Sequence, residues 1–176
     1  MRNKLILSLG FLFFVILPTD AQSEKISLPT FSFTVPDGMK NHSNNSDVLA
    51  KLSFENSLHI TIDDNMEKML ELTKKRPRGS ERMKMEQVAF DLKFKAIKDQ
   101  YRGFDATKKQ TGKYKNFNYT SQMFTCKASK TQAASLEYRV MEIGEKYYEF
   151  IITGKNDSKK KHLPLIIFFW KSIVTN

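Results

Sequence analysis

The chain has 176 residues, which is the usual length of one domain and is long enough to bury a core. Hydrophobic residues make up 40% of it, including 14 Phe, and this composition excludes a disordered chain. The formal net charge is +10, so any partner that binds through charge is expected to be anionic.

The first 21 residues have the pattern of a secretory signal peptide. Two basic residues precede an apolar run at residues 5–17, and Pro18 follows that run. Small residues then lead to Ala21, so we predict cleavage after Ala21 or a residue or two later. The alternative is a membrane anchor, but the run has 13 residues, and a spanning helix needs roughly 20.

Cleavage would give an exported protein, located in the periplasm or outside the cell. Removing residues 1–21 takes away two basic residues and one acidic residue, which leaves a net charge of +9. In that compartment we expect a protein partner or an anionic envelope surface and no nucleic acid. Cys126 is the only cysteine, so we expect a small buried side chain, with no internal disulfide and no lipid attachment at the cleavage site. The apolar residues 163–170 are too few to cross a membrane.

The first predicted strand starts the domain. Residues 22–29 are predicted to be an unstructured lead-in, and residues 30–176 a single domain. Phe31, Phe33 and Val35 alternate on one side of a strand, and a Pro-Asp-Gly turn ends it. Two further strands, at residues 48–55 and 58–62, are predicted to form a hairpin across Asn56 and Ser57.

Two helices are predicted next, at residues 66 to about 75 and 81–101. The Asp63-Asp64-Asn65 triplet supplies N-cap candidates for the first helix. The second helix carries two apolar stripes at helical spacing, one of which includes Met85, Ala89 and Leu92. Packing of this stripe on a sheet is the simpler interpretation, and the alternative is an exposed partner-binding surface at these three residues.

In the rest of the chain, apolar residues recur mostly at every second position. Strands are predicted at residues 106–113, 116–127, 134–143 and 147–153, which is typical of an antiparallel meander. A basic loop at residues 156–161 then precedes a last helix that begins at Pro164 and is apolar nearly all round. The sequence therefore predicts a three-layer α+β domain, with helices packed on a largely antiparallel sheet of about six strands.

No catalytic, cofactor or metal motif occurs in the sequence, so no cofactor is predicted. The best cluster for acid–base or metal chemistry is His59 with Asp63 or Asp64 nearby, although helix capping explains the aspartates more simply. Three basic clusters are candidate anion-binding sites, or else solvated loops. They comprise Lys74, Lys75, Arg76 and Arg78; Lys159, Lys160 and Lys161; and a diffuse group of Lys108, Lys109, Lys113 and Lys115.

The order of elements resembles the PsbP-like α/β/α sandwich. The residues that carry the resemblance are the strand and turn at residues 31–38 (FSFTVPDG), the YYEFII strand at residues 147–152, and the Lys-Ser-Ile ending of the last helix. Met39 stands where this group commonly has Trp, and no cysteine for lipid attachment is present. The resemblance implies a binding or assembly factor without catalytic residues.

We therefore expect an exported, non-enzymatic binding or accessory protein that acts through a basic surface. One alternative is a hydrolase-like enzyme whose site is assembled only in three dimensions, which a deep pocket uniting His59 with Asp63 or Asp64 would favour. The other alternative is a structural envelope protein that associates with itself, which an exposed apolar face at Met85, Ala89 and Leu92 would favour.

Overall fold

A computed structural model describes residues 23–45, 47–73, 78–127 and 133–176. Within these residues there are eleven strands, three α-helices and two short 3-10 turns. The helices are α1 (Asn65–Thr73), α2 (Ser80–Gln100) and α3 (Lys159–Ser172). The strands are β1 (Lys25–Ser27), β2 (Phe31–Thr34), β3 (Lys40–Asn41), β4 (Ala50–Phe54), β5 (Leu58–Asp63), β6 (Arg102–Ala106), β7 (Gln110–Tyr114), β8 (Phe117–Lys127), β9 (Ala133–Ile143), β10 (Lys146–Lys155) and β11 (Val174–Thr175).

Eight of these strands form one large antiparallel sheet. Its order is β3-β4-β5-β10-β9-β8-β6, and β7 pairs with β8 beside β6. The other three strands form a small antiparallel sheet of order β1-β2-β11. The small sheet joins the first described residues to the last ones, because β11 pairs with β2.

One face of the large sheet is covered by α3 and the small sheet. Buried aromatic side chains from four elements, β2, β8, β10 and α3, fill the core between these layers. Phe31 of β2 meets Tyr148 of β10 edge to face, with ring centroids 4.9 Å apart. Phe169 of α3 lies 5.3 Å from Phe33 and 6.2 Å from Phe150. This core therefore ties the small sheet and α3 to the centre of the large sheet.

The other face is covered by α1 and α2. Its core takes Met66 and Leu70 from α1, Phe90 and Ile97 from α2, and sheet residues that include Tyr138. Layers on both faces confirm the predicted α+β fold class and its three-layer order. The large sheet has eight strands rather than about six, because β3 and the pair β6 and β7 extend its two sides.

Local sequence sets the two tight hairpins and the start of α1. Glu55 and Asn56 have positive φ between β4 and β5, and Gly144 and Glu145 have it between β9 and β10. Positive φ at both central residues is what a mirror-image turn requires; the loop between β9 and β10 consists of these two residues, and Ser57 adds a third to the loop between β4 and β5. At α1, the Asp63 carboxylate accepts hydrogen bonds from the Asp64 backbone N–H at 2.8 Å and from the Asn65 amide at 2.7 Å. The predicted hairpin between β4 and β5 is thus confirmed, with its turn one residue earlier than predicted. The capping role of the acidic pair stays a prediction, because the donors to Asp63 are the backbone of Asp64, which precedes α1, and a side-chain amide.

Three local predictions are wrong. Residues 22–29 were expected to be unstructured, but β1 lies within them and pairs with β2. Residues 106–113 were expected to form one strand, but β6 and β7 are separate strands on the same edge of β8. Residues 156–161 were expected to be a loop, but α3 begins at Lys159, five residues before Pro164. In each case the secondary structure depends on contacts with distant residues, such as strand pairing for β1, β6 and β7 and the contact of His162 with Ser57 for α3.

Candidate functional site

The structure does not bring His59 together with Asp63 or Asp64. His59 is half-buried on β5, and the Asp63 oxygens accept hydrogen bonds from the Asp64 backbone N–H and the Asn65 side-chain amide. Asp64 forms an ion pair with Lys68 at 2.7 Å. None of these three residues lines either of the two pockets described below. The observation that would favour a hydrolase-like site is therefore missing from the described pockets.

Two histidines contact serine hydroxyls, but the better buried pair is not arranged for nucleophilic catalysis. His162 Nε2 lies 2.9 Å from Ser57 Oγ, and His42 Nε2 lies 2.8 Å from Ser53 Oγ. Ser57 donates its own proton to the Phe54 carbonyl oxygen at 3.1 Å, so the histidine N–H is the donor in that pair. A serine held in this way is not activated by its histidine. Among the described residues, no three His, Cys, Asp or Glu side chains could hold a metal ion.

The burial of His162 predicts acid-sensitive stability. His162 is only 2% exposed, and burial lowers its pKa below the ordinary value, with the charge of Lys161 acting in the same direction. Because the unfolded chain takes up a proton more readily, this contribution to stability is present above about pH 6.5 and is lost as the pH falls below it. We expect the free energy of unfolding of His162→Gln to fall less steeply with decreasing pH than that of the wild type, by at most about 1.4 kcal/mol per pH unit.

The measurement is the free energy of unfolding in urea at several pH values between neutral and mildly acidic. Leu165→Ala is the control, because Leu165 lies on the same helix, is partly buried and does not titrate. The control should lower stability equally at every pH. If the free energy of unfolding of His162→Gln falls with decreasing pH as steeply as that of the wild type, His162 is not the source of the acid sensitivity.

The basic clusters have different surroundings. Lys74, Lys75 and Arg76 lie outside the described residues, and Arg78 is exposed just before α2. In the diffuse group, Lys109 contacts the Gln87 side chain and lies 5.2 Å from the Phe90 ring, while Lys115 donates to the Lys171 carbonyl oxygen at 2.9 Å. Lys108 and Lys113 are exposed. Lys109 and Lys115 thus hold neighbouring elements together.

Lys159, Lys160 and Lys161 form the first turn of α3, and all three are exposed. Lys161 pairs with Glu55 and lies 5.0 Å from the Phe54 ring. The first turn of α3 carries no acidic residue. Positive charge is unfavourable at a helix N-terminus, because the helix dipole is positive there.

The outward side of α3 is apolar between two lysines. Leu163 is 51% exposed, Ile167 is 44% exposed and Phe168 is 45% exposed. Together with the exposed residues Lys160, Pro164 and Lys171, they follow the i, i+3, i+4, i+7 spacing of one helix face. We call this face the outer stripe, and it consists of Lys160, Leu163, Pro164, Ile167, Phe168 and Lys171.

The inward side of α3 is equally apolar. His162, Phe169 and Trp170 are buried there, and Leu165 and Ile166 pack against the same core. A helix that is apolar all round is normally covered on all sides. In the described structure, the sheets cover the inward side and leave the outer stripe exposed. The sequence predicted a helix that is apolar nearly all round, and the structure shows which of its sides is left exposed.

A pocket of about 310 Å³ lies between α3 and the large sheet. Its walls are mostly apolar, with Leu58 and Ile152 on the sheet side and Leu163 on the helix. Glu137 also lines it, but its carboxylate is bound to Arg139 at 2.6 Å. The Arg139 guanidinium is in turn held between the rings of Tyr119 and Trp170, at 4.5 and 4.3 Å from their centroids.

The predicted partner-binding residues lie on α2 in different surroundings. Met85 and Ala89 are half-buried and pack against the core under α2, whereas Leu92 is 60% exposed. Ala89 and Leu92 also line a groove of about 230 Å³ between α1 and α2, with Lys93 and Glu149 as its charged residues. The role of these three residues in binding a partner stays a prediction.

Cys126 is buried, as predicted, with 5% of its surface exposed. Burial raises the pKa of its thiol, which lowers its reactivity. Within the described residues no helix is long and apolar enough to cross a membrane.

Comparison with known proteins identifies the fold. No protein-family model matches the sequence, and no curated protein matches it. The structure is similar to LpqN of Mycobacterium tuberculosis, described as involved in cell envelope biogenesis, with a TM-score of 0.52, 8% identity, and coverage of 90% of this chain and 87% of LpqN. It is also similar to PsbP (CyanoP) of Synechocystis sp. PCC 6803, with a TM-score of 0.52, 12% identity, and coverage of 96% and 99%. This chain has the PsbP-like α/β/α fold.

Proposed function

We propose that this chain is an exported, non-enzymatic accessory protein of the cell envelope that attaches to an anionic membrane surface through α3. The observation that carries the proposal is the outer stripe, where three large apolar side chains are about half exposed between two lysines. Amphipathic helices of this kind lie in the membrane interface, with apolar side chains at the level of the acyl boundary and lysines toward the headgroups.

The charges of α3 favour an anionic surface over a neutral one. Lys159 and Lys160 add to the basic end of the helix, and Lys171 lies at its other end. Each lysine near an anionic membrane contributes about 1 kcal/mol. An anionic surface would also offset the unfavourable effect of lysines at the helix N-terminus. The stripe runs over twelve positions of the sequence, or about 16 Å of helix, which suits a weak and reversible attachment.

Export and an accessory role are supported by the sequence and by one structural neighbour. Residues 1–21 have the pattern of a signal peptide, and the net charge without them is +9. LpqN, which has a similar fold, is described as involved in cell envelope biogenesis. We extend the envelope location and the accessory role to this chain on these grounds.

The proposal is tested by sedimentation with vesicles of phosphatidylglycerol and phosphatidylcholine in equal parts. We expect binding that weakens at high salt and is absent with phosphatidylcholine alone. The variant Ile167→Ser with Phe168→Ser keeps the charge and should bind about tenfold more weakly, since it removes apolar area from the interface. Lys160→Gln with Lys171→Gln should also weaken binding by about tenfold or more and reduce its salt dependence.

Matched controls come from other exposed residues of the chain. Leu72 and Met83 are 85% and 72% exposed, so Leu72→Ser with Met83→Ser removes comparable apolar area elsewhere. Lys113→Gln with Lys127→Gln removes the same charge from the strands. Both controls should bind vesicles like the wild type. Equal loss in controls and stripe variants, or a stable dimer that the stripe variants dissociate, would overturn the proposal.

A further inference from the structure

The side of the large sheet that faces α1 and α2 is only partly covered by them. Their core lies over β8, β9 and β10. Toward β3 the same side of the sheet carries polar residues, and the cross-strand register shows which of them are neighbours. One row across β3, β4, β5 and β10 consists of Lys40, Ser53, His59 and Thr153.

The next row is also basic at its outer end. Lys51 lies opposite Thr61, and the His42 backbone N–H donates to the Lys51 carbonyl oxygen at 2.7 Å, which places His42 beside Lys51. His42 also contacts the Ser53 hydroxyl at 2.8 Å through Nε2, and Ser53 lies directly opposite His59. Two imidazoles, one ammonium and a hydroxyl are therefore neighbours on one surface.

In the part of the chain that the structure describes, these two rows contain no carboxylate. The next residue of β5 on this face, Asp63, is buried and accepts hydrogen bonds from the Asp64 backbone and the Asn65 side chain. Lys40, His42 and Lys51 are exposed, and His59 is half-buried. Burial lowers the pKa of His59, and the charges of Lys51 and His42 lower it further. Positive groups that disfavour one another's charge are stabilised when an anion binds among them.

We infer that His42, Lys51 and His59 form a binding site for a phosphate group, in which the buried Ser53 hydroxyl holds His42 in place. The phosphate oxygens can accept hydrogen bonds from the Lys51 ammonium and from both imidazoles, and the negative charge of the phosphate offsets the charge of Lys51 and favours the imidazolium form of His59. The site lies on the opposite side of the large sheet from α3, so it is independent of the proposed membrane attachment and accessible while that attachment is made.

The test uses inorganic phosphate as the probe, with sodium chloride to hold the ionic strength constant. NMR follows the ring C–H signals of the three histidines as the pH is varied, with and without phosphate. We expect phosphate to raise the pKa of His59, because the bound anion favours the imidazolium. Acetate should produce a smaller shift of the His59 pKa, because its two oxygens can accept from fewer of these donors at once.

Variants separate this site from general attraction to a basic protein. His42→Gln and Lys51→Gln should each weaken phosphate binding about threefold to fivefold, as expected for the loss of one exposed charge. Lys113→Gln removes an equal charge from β7 and should leave the affinity unchanged. The inference is overturned if phosphate shifts His59 no more than chloride does, or if Lys113→Gln weakens binding as much as Lys51→Gln. Vesicle binding is unaffected by either result, so the two proposals fail separately.

Discussion

Replacing Phe31 with alanine should lower the free energy of unfolding by about 3–5 kcal/mol. Phe31 is fully buried, and its ring lies 4.9 Å from that of Tyr148 and 6.0 Å from that of Phe150. The substitution removes the ring and leaves a cavity between the small sheet and the large one, which the rigid strands cannot close. Domains of this size are stable by about 5–15 kcal/mol, so the loss is a large part of the total.

The measurement is urea unfolding followed by circular dichroism, and Phe168→Ala is the matched control. Phe168 is 45% exposed on the outer stripe, so the same change of residue there should cost less than about 1 kcal/mol. A Phe31→Ala variant that is as stable as the control would show that the small sheet does not pack on the large one as described. If Phe31→Ala is too unstable to purify, Phe31→Leu should give a smaller loss in the same direction.

The alternation of Phe31, Phe33 and Val35 was enough to predict the strand but not its sheet. The alternation of apolar residues along a strand indicates which side is buried, but it does not indicate which strands pair with its edges. In the structure β2 lies between β1 and β11, and Ser32 is buried together with its aromatic neighbours. The pairing of β2 with residues near position 175 is a contact between distant parts of the chain, which local periodicity cannot predict.

The candidate surfaces were predictable to different degrees. Lys159 to Lys161 were singled out as a cluster from their composition, but as a loop rather than as a helix turn. The outer stripe needed the structure, because an all-round apolar helix does not reveal which side the sheet covers. The pairing of Ser53 with His59 also depends on strand register, which the hydrophobic pattern fixes only after the fold is known.

The second large effect concerns Tyr138, whose side chain is fully buried under α2. Its hydroxyl donates to the carboxylate of Glu149, which also accepts a hydrogen bond from the Met66 backbone N–H at 3.3 Å. Burial raises the pKa of Tyr138 well above the ordinary value, and the negative charge of Glu149 raises it further. The folded protein therefore keeps this phenol neutral at pH values where a tyrosine of the unfolded chain ionises.

The sign of the pH effect follows from that difference. The contribution of Tyr138 to stability is complete below about pH 10, where the phenol is neutral in both states. Above it only the unfolded chain loses the proton, so stability falls by about 1.4 kcal/mol per pH unit. At neutral pH, Tyr138→Phe should cost about 1–3 kcal/mol, because the Glu149 carboxylate loses a buried donor. Near pH 11 we expect that cost to be smaller by about 1.4 kcal/mol, because the variant has no phenol to ionise at this position.

Urea unfolding of wild type and variant near pH 7 and pH 11 measures this change directly. Phe124→Leu serves as the control, since Phe124 is fully buried in the same core and cannot ionise. Phe124→Leu should lower the free energy of unfolding by the same amount at both pH values. The other tyrosines and the lysines ionise alike in the wild type and in both variants, so their contribution cancels in each difference. A cost of Tyr138→Phe that is the same at both pH values would mean that Tyr138 is not held neutral beside Glu149. The buried pair would then have to be reassigned, together with the packing of α1 on β10 that the Met66 hydrogen bond to Glu149 supports.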